Sequence, residues 1–164
     1  LSDDLLGTGY GDVHHRVCHR KMEEKDKNEV LNMMRVFYAS DAVFTNGSEE
    51  IFESDVNACV GECPFLEGYV FEEKEAIQGY GMLAKSFSTE FGKLCIWVED
   101  IYVKPEYQGL GIGSQFFRLI EEMYQDVLLR LEVEEENERA VHVYKKSGFD
   151  ELPYMEMKKY VGKK

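Results

Sequence analysis

The sequence predicts a single domain of the mixed α/β (α+β) class. Its 164 residues suit one sizeable hydrophobic core. Segments with the period of an amphipathic helix alternate along the chain with β-branched and aromatic segments typical of strands. No internal repeat or linker-like stretch divides the sequence. We therefore expect one domain over residues 12–164, with residues 1–11 as a candidate flexible leader.

Local signals place the individual elements in order. Asp26 and Glu29 form a capping-box pattern ahead of an apolar helical stripe, and Ser48 suits the cap of a second helix. Residues 94–103, LCIWVEDIYV, have the composition of a buried strand, and Gly148 is typical of a helix C-terminus. The expected elements are a strand within 12–20, helices at 26–40 and 46–60, two strands within 68–87 joined by a turn at 73–75, a strand at 94–103, a helix at 111–125, a strand at 126–134, a helix at 137–149 and a last strand at 154–160.

Acidic residues outnumber basic ones, and the formal net charge is −13. Binding to nucleic acid requires a basic face that neutralises phosphates, so we expect no nucleic-acid partner. An acidic surface can attract cationic substrates. The same charge also serves solubility alone, and the composition does not decide between the two interpretations.

Targeting and redox signals are weak in this sequence. Its apolar segments fall short of the roughly 20 residues that span a bilayer, and the N-terminal residues lack the pattern of a signal peptide. Cys18, Cys59, Cys63 and Cys95 lack the spacing of a disulfide framework. We therefore expect a cytoplasmic protein with reduced cysteines and no membrane partner.

A metal site is also not expected. His14, His15, Cys18 and His19 cluster near the N-terminus. The adjacent His14 and His15 would diverge on a strand, however, and no second pair of ligands follows at the spacing of a zinc finger.

The segment VKPEYQGLGIGSQFF, residues 103–117, places three glycines between a strand and a helix. Such a loop can direct free backbone N–H groups and a helix N-terminus at one anion, which suits a pyrophosphate. Tight packing of helix against strand explains the glycines equally well. The spacing fits neither the Walker loop nor the G-x-G-x-x-G dinucleotide fingerprint.

Two motifs carry a more specific signal. Residues Gln108 to Gly113, QGLGIG, resemble the Q/R-x-x-G-x-G/A signature of the GNAT superfamily of N-acetyltransferases, and they follow a long apolar strand as in that family. Downstream, Asn137, Ala140, Tyr144 and Gly148-Phe149 match the family pattern N-x-x-A-x-x-x-Y-x-x-x-G-F. The resemblance covers roughly residues 12–160, and it implies a twisted, mostly antiparallel sheet of six to seven strands flanked by about four helices.

Within the superfamily, residues 79–114 look most like the spermidine/spermine (diamine) N-acetyltransferase branch. The shared points are Gly79-Tyr80, Gly92-Lys93-Leu94, Glu99-Asp100 and the glycine loop. The resemblance implies acetyl-coenzyme A (acetyl-CoA) as donor, a small amine as acceptor and, as is common in the family, a homodimer. The resemblance implies that the backbone of Ile101, Tyr102 and Val103 runs beside the pantetheine arm of the cofactor, and that Asn137 and Tyr144 lie along the cofactor near the thioester. It also implies that the pyrophosphate is held by the backbone N–H groups of the loop, namely Gln108, Gly109, Leu110, Gly111, Ile112, Gly113 and Ser114.

Acetyl transfer to an amine sets the remaining chemical requirements. An alkylammonium has a pKa of roughly 10 and must lose a proton before it attacks the thioester, so a base is needed. The leaving thiolate benefits from an acid. The resemblance implies Tyr144 as the acid, Glu99 as the base through water, and Asp100 as a positioning residue or alternative base. Because neighbouring strand residues point to opposite faces unless a bulge intervenes, we expect one of this Glu-Asp pair to face the substrate.

Several alternatives stay open at this level. The acceptor could be a protein N-terminus, a lysine or an aminoglycoside-type amine instead of a polyamine. A catalytically idle acyl-CoA sensor and an interaction domain without a cofactor are the competing classes. A group of acidic residues in the second predicted helix, Glu49, Glu50, Glu53 and Asp55, suits either a second ammonium or a solvated helix face.

Overall fold

The computed structural model of the protein describes residues 17–162. A five-stranded sheet of order β1-β2-β3-β4-β5 lies at its centre; the first four strands are antiparallel and β5 runs parallel to β4. The candidate leader and the start of the expected first strand lie outside the described residues. The strands are β1 (Cys18–Lys21), β2 (Leu66–Glu73), β3 (Ala76–Ser88), β4 (Lys93–Val103) and β5 (Leu128–Arg130), and the helices are α1 (Lys27–Tyr38), α2 (Glu49–Val60), α3 (Ile112–Met123) and α4 (Glu138–Lys146).

Helices cover both faces of the sheet and form two apolar cores. The core on one face joins α1 and α2 to alternate strand residues such as Val70, Tyr80 and Met82. The core on the other face joins α3 and α4 to the intervening residues, including Phe71 and Leu83. This alternation is the period of two that a strand buried on both faces requires.

The centre of the second core is a close contact between β3 and α3. Phe116 of α3 is fully buried, and its ring lies 4.9 Å from that of Phe71 and 5.7 Å from that of Tyr69. A Cβ on Gly81 would lie 2.5 Å from the Phe116 ring, so only glycine lets α3 approach the sheet this closely.

The two predicted helix N-termini have different outcomes. Ser48 accepts a hydrogen bond from the Ile51 N–H at 3.2 Å and caps α2, as predicted. The predicted box of Asp26 and Glu29 is wrong, because the box forms one turn earlier between Glu23 and Asp26. Asp26 is instead buried against the guanidinium of Arg20, with two bonds of 2.7 and 2.9 Å.

The expectation of six to seven strands is wrong by at least one element within the described residues. The strand expected at 154–160 is absent, and this segment is irregular and exposed. Its alternating pattern does not produce a strand here because no neighbouring strand pairs with it. The strand expected at 126–134 shortens to Leu128–Arg130, since its pairing with β4 ends there.

Disulfides, membrane-spanning helices and metal sites can be examined within the described residues. All four cysteines fall within residues 17–162, and none forms a disulfide. Within the same range, no helix has the length and apolarity to cross a membrane. The described side chains also contain no group of three or more His, Cys, Asp or Glu that could hold a metal ion.

Replacing Phe116 by Ala removes the side chain on which the second core is built. We expect the free energy of unfolding to fall by about 3–5 kcal/mol, because the loss of buried ring surface adds to the cost of a cavity. Phe87→Ala is the matched control, since that ring is 65% exposed, and we expect a change within about 0.5 kcal/mol. Urea denaturation measures both values, and equal losses would contradict the assignment of this core.

Candidate active site

The site lies where β4 and β5 separate. Their parallel pairing joins Cys95–Trp97 to Leu128–Arg130 and then stops. A cleft of about 500 Å³ opens beyond this point, between residues 98–101 of β4 and residues 131–134 after β5. This part of β4 stays paired with β3 on one edge, but its other edge, which faces the cleft, has no strand partner among the described residues and leaves backbone polar groups available to a ligand.

A β-bulge in β4 decides which side chains face the cleft. Met82 of β3 pairs with Asp100, but the next residue, Leu83, pairs with Val98, so Glu99 is the extra residue. The bulge reverses the alternation of β4: Val98 and Ile101 both face the α3 side, and Asp100 faces the α1 side. Glu99 and Asp100 consequently both line the cleft, which differs from the expectation that one of them would.

Asp100 is the most deeply buried charged group of the cleft. It is 4% exposed. The Tyr38 hydroxyl donates a hydrogen bond of 2.9 Å to Oδ1, and the Tyr80 hydroxyl donates one of 2.8 Å to Oδ2. Burial raises the pKa of Asp100 to about 6, and the two hydrogen bonds oppose that shift because they favour the charged form. The carboxyl group is therefore mostly ionised at neutral pH.

Glu99 differs from its neighbour in exposure. Its side chain reaches solvent in the cleft. Desolvation by the cleft raises the pKa of Glu99, and the charges of Glu156 and Asp55 raise it further. A carboxylate with a raised pKa is a better proton acceptor, and an accessible one can exchange that proton with water.

The opposite wall of the cleft carries a second cluster of acidic residues. Glu132 and Glu134 follow β5, and Glu156 reaches the same wall from the C-terminal segment. Burial raises the pKa of Glu132 to about 7, and a hydrogen bond with the carboxyl group of Glu156 contributes to the same shift. Among the described residues that line the cleft, five are acidic and none is Lys, Arg or His.

Tyr144 closes the cleft from α4. The side chain is 3% exposed, and burial raises the pKa of its hydroxyl above the usual value. The end of α4 holds the ring in place: Gly148, with φ of +95°, turns the chain, and the Phe149 ring packs 5.7 Å from that of Tyr144. Tyr144, Gly148 and Phe149, which belong to the second of the two motifs, thus pack together in the structure.

The glycine loop follows β4 at the start of α3. Gly109 and Gly111 both have φ of +79°, and a Cβ on either would meet nothing within 4 Å. Close packing therefore does not explain these two glycines, whereas the left-handed backbone does. Gly113 differs, because it lies buried in the first turn of α3. Gln108 donates a hydrogen bond of 3.0 Å to the Val103 carbonyl and ties the loop to the end of β4.

The other predicted cofactor contacts lie in three kinds of position. Ile101 lines the cleft, whereas Tyr102 and Val103 continue β4 toward the loop. Asn137 is the cap of α4, where its Oδ1 accepts a hydrogen bond from the Ala140 N–H at 3.2 Å. The structure does not place Asn137 among the residues that line the cleft. Leu110 is exposed before α3, Gly111 is the N-cap of that helix, and Ile112, Gly113 and Ser114 form its first turn, where Ile112 and Gly113 are buried.

Sequence reasoning did not identify Tyr38, Glu132, Glu134 and Glu156 as residues of the cleft. Tyr38 belongs to the apolar stripe of the helix predicted at 26–40, and the three acidic residues fall in the strands predicted at 126–134 and 154–160. A polar ring at the last residue of a helix was the available signal for Tyr38. The acidic residues of α2 lie elsewhere: Glu49 pairs with Arg35 through bonds of 2.6 and 2.9 Å, and none of the four lines the cleft.

Comparison with known proteins gives consistent results. The model of the acetyltransferase (GNAT) family matches residues 31–149. Thialysine N-epsilon-acetyltransferase of Bos taurus is 36% identical over 149 residues, which are 83% of this chain and 85% of that protein. Spermidine N(1)-acetyltransferase of Escherichia coli K12 is 42% identical over 54 residues, which are 30% of this chain and 29% of that protein.

Solved structures share the fold. A possible acetyltransferase from Clostridium difficile 630 superposes with a TM-score of 0.78 at 19% identity, covering 91% of this chain and all of that one. A predicted acetyltransferase with acetyl-CoA from Clostridium acetobutylicum superposes with a TM-score of 0.69 at 19% identity, over 87% of this chain and 96% of that one. Since the family model spans most of the chain and a full-length relative exceeds 30% identity, the chain belongs to the acetyltransferase (GNAT) family and is an acetyl-CoA-dependent N-acetyltransferase.

Proposed function

We propose that the acceptor is a small, positively charged primary amine, with a polyamine or related diamine as the leading class. One observation carries this proposal. Asp100 is a charged group buried at 4% exposure that has two neutral hydroxyls as hydrogen-bond partners and lines a cleft of five carboxylates. A buried charge is costly unless it is paired, and an ammonium in the cleft would supply the pairing.

The two clusters of acidic residues on opposite walls of the cleft favour an acceptor with two positive charges. Glu99 and Asp100 lie on the β4 wall, and Glu132, Glu134 and Glu156 lie on the opposite wall. One amine of the acceptor would be deprotonated and acetylated beside Glu99 and Asp100, while the cluster on the opposite wall holds the ammonium at the other end. The names of the two relatives agree with this proposal, because thialysine and spermidine both carry a primary amine on a flexible chain.

The proposed reaction uses each group in a separate role. Glu99 takes the proton from the ammonium through water, and Asp100 positions the amine or serves as the alternative base. The amine nitrogen then attacks the thioester carbonyl carbon, the C–S bond breaks, and the nitrogen releases its remaining extra proton to water to give the amide. Tyr144 donates its proton to the leaving thiolate and regains a proton from water; its hydroxyl is protonated at neutral pH, because burial raises the pKa above an ordinary value that is already about 10.

The glycine loop accounts for how an acidic protein would hold an anionic donor. We propose that the N–H groups from Gln108 to Ser114 bind the pyrophosphate at the start of α3, where the helix dipole favours an anion. The edge of β4 at Ile101, Tyr102 and Val103, which has no strand partner within residues 17–162, would bond to the pantetheine arm, and Asn137 and Tyr144 would lie along the cofactor near the thioester. The attraction comes from backbone dipoles, so the loop needs no basic side chains.

Location and partners complete the proposal. We propose a cytoplasmic protein with a single domain over residues 12–164 and no nucleic-acid or membrane partner; the charge of −13 argues against a nucleic-acid partner, and the four free cysteines suit a reducing compartment. A homodimer is proposed because Met155, Met157 and Val161 of the C-terminal segment are about 90% exposed. A second copy would bury this segment.

Acceptor class can be tested by measuring release of free CoA thiol with a panel of amines. We expect diamines and polyamines to have the highest kcat/KM, monoamines of equal length lower values, and aminoglycosides and peptide N-termini the lowest. The physical reason is the second cluster of acidic residues, which a monoamine cannot use. Equal kcat/KM for a diamine and its monoamine would contradict the dication, and thiol release only with peptides would contradict the small acceptor.

Tyr144→Phe tests the proposed acid. We expect kcat to fall by about 10²–10⁴-fold, the range of general acid catalysis, while the Kd for acetyl-CoA in calorimetric titration stays within twofold of wild type. Tyr69→Phe is the control, since Tyr69 is equally buried at 3% exposure but bonds to Glu67 outside the cleft. Unchanged turnover in Tyr144→Phe would remove this residue from the mechanism.

Gly111→Val tests the proposed pyrophosphate loop. Gly111 and Gly92 both have positive φ and open space around the missing Cβ, so Val at either position should cost about 1–2 kcal/mol of stability. We expect acetyl-CoA affinity to fall by at least about tenfold, or about 1.4 kcal/mol, in Gly111→Val only. Equal affinities in the two variants would show that the loop does not bind the donor.

A further inference from the structure

The hydrogen bonds of Asp100 indicate that Tyr38 does more than line the cleft. The tyrosine clamp is defined here as the hydroxyls of Tyr38 and Tyr80 bonded to the two carboxylate oxygens of Asp100. Tyr80 is fully buried in the first core, whereas Tyr38 is half-buried and lines the cleft. One hydroxyl of the clamp thus reaches the carboxylate from the first core, and the other reaches it from the cleft.

Tyr38 is itself held at a structural junction. It is the last residue of α1, and its ring packs 5.3 Å from that of Phe37 and 5.0 Å from that of Phe52 in α2. Residues 42–45, which follow it, form the neighbouring part of the cleft wall. The bond to Asp100 therefore ties the connection between α1 and α2 to the bulged part of β4.

We propose that Tyr38 is a positioning residue of the acetyltransferase: its hydroxyl keeps Asp100 charged and directed into the cleft, where the carboxylate meets the ammonium of the acceptor. This inference rests on the proposed function. It is a statement about Tyr38 acting through Asp100, and it assigns no contact between Tyr38 and the reacting atoms.

The electrostatics around Asp100 explain why such a device is needed. Burial disfavours the charged carboxylate, and the nearby carboxylates add repulsion; the donated hydrogen bonds are the opposing contributions. Both tyrosine hydroxyls have raised pKa values and remain neutral donors. Burial also raises the pKa of the Cys59 thiol to about 12, so that group stays neutral. The titratable groups that face Asp100 from the packed elements are Tyr38 of α1, Asp55 and Cys59 of α2, Tyr80 of β3 and Glu99 of β4.

The sign of the expected effect follows from these contributions. A hydrogen bond to the charged form lowers the pKa of a carboxyl group, so its removal in Tyr38→Phe should raise the pKa of Asp100 above its present value. The ionised fraction then falls at a given pH, and the acid limb of kcat/KM moves to higher pH. A bond to a charged group corresponds to a shift of about one pH unit.

Two measurements on the full chain test the proposal. Titration of the Asp100 carboxyl carbon by NMR reports its ionisation without any substrate. The pH profile of kcat/KM, measured by thiol release with putrescine, reports its role toward the amine. We expect both pKa values to rise by about one unit in Tyr38→Phe, and neither to change in the control Tyr69→Phe, which removes a tyrosine-to-carboxylate bond outside the cleft.

A second variant isolates the pathway of the effect. Asp100→Asn lacks the titrating group, so Tyr38→Phe should shift the acid limb in the wild-type background and leave it in place in the Asp100→Asn background. An unmoved NMR titration in Tyr38→Phe would overturn the clamp. A moved titration with an unmoved acid limb would overturn the role toward the acceptor. Absence of thiol release from the wild type with every amine would overturn the proposed acceptor class instead, and the NMR titration would still decide whether the clamp sets the charge of Asp100.

Discussion

The long antiparallel ladder between β3 and β4 is the constraint on which the rest of the site depends. Ten pairs of residues hold the two strands in register from Gly79–Val103 to Ser88–Lys93. The single interruption, at Glu99, reverses which side chains of β4 face each core. Because of that extra residue, Val98 and Asp100 face opposite sides of the sheet although they are two positions apart, and Asp100 contacts Tyr38.

The end of the β4–β5 pairing is the second feature that creates the cleft. A sheet edge that stays paired offers nothing to a ligand, whereas a separated one offers backbone groups and the side chains of both strands. Here the separation after Trp97 and Arg130 places the bulge on one wall and acidic residues on the other. The glycine loop and α3 follow from the same strand, so one element leads to both the cleft and the loop.

Charge is divided within the site. The cleft collects five carboxylates, while the glycine loop offers backbone N–H groups at the start of α3. A cation and an anion could therefore approach one centre from different directions. Such a separation resolves the apparent conflict between a net charge of −13 and use of an anionic donor.

Local sequence signals were reliable where they reflect local physics. The Ser48 cap, the strand at 94–103, the helix after the glycine loop and the turn at Gly148 depend on neighbouring residues, and the structure contains each of them. The capping box at Asp26 and Glu29 failed because a tertiary partner, Arg20, takes the Asp26 carboxylate. The strand at 154–160 failed because a strand needs a neighbour that its own residues do not supply.

The sequence by itself determined the fold class, the two family motifs and the residue types needed for acetyl transfer. Those follow from short-range periodicity and from spacing along the chain. Only the tertiary structure decided that Glu99 and Asp100 share one cleft, that Tyr38 bonds to Asp100 across 62 positions of sequence, and that Glu132 meets Glu156. These relations depend on a bulge, a diverging strand and an irregular segment, which are set by packing between distant elements and leave no periodic pattern to read.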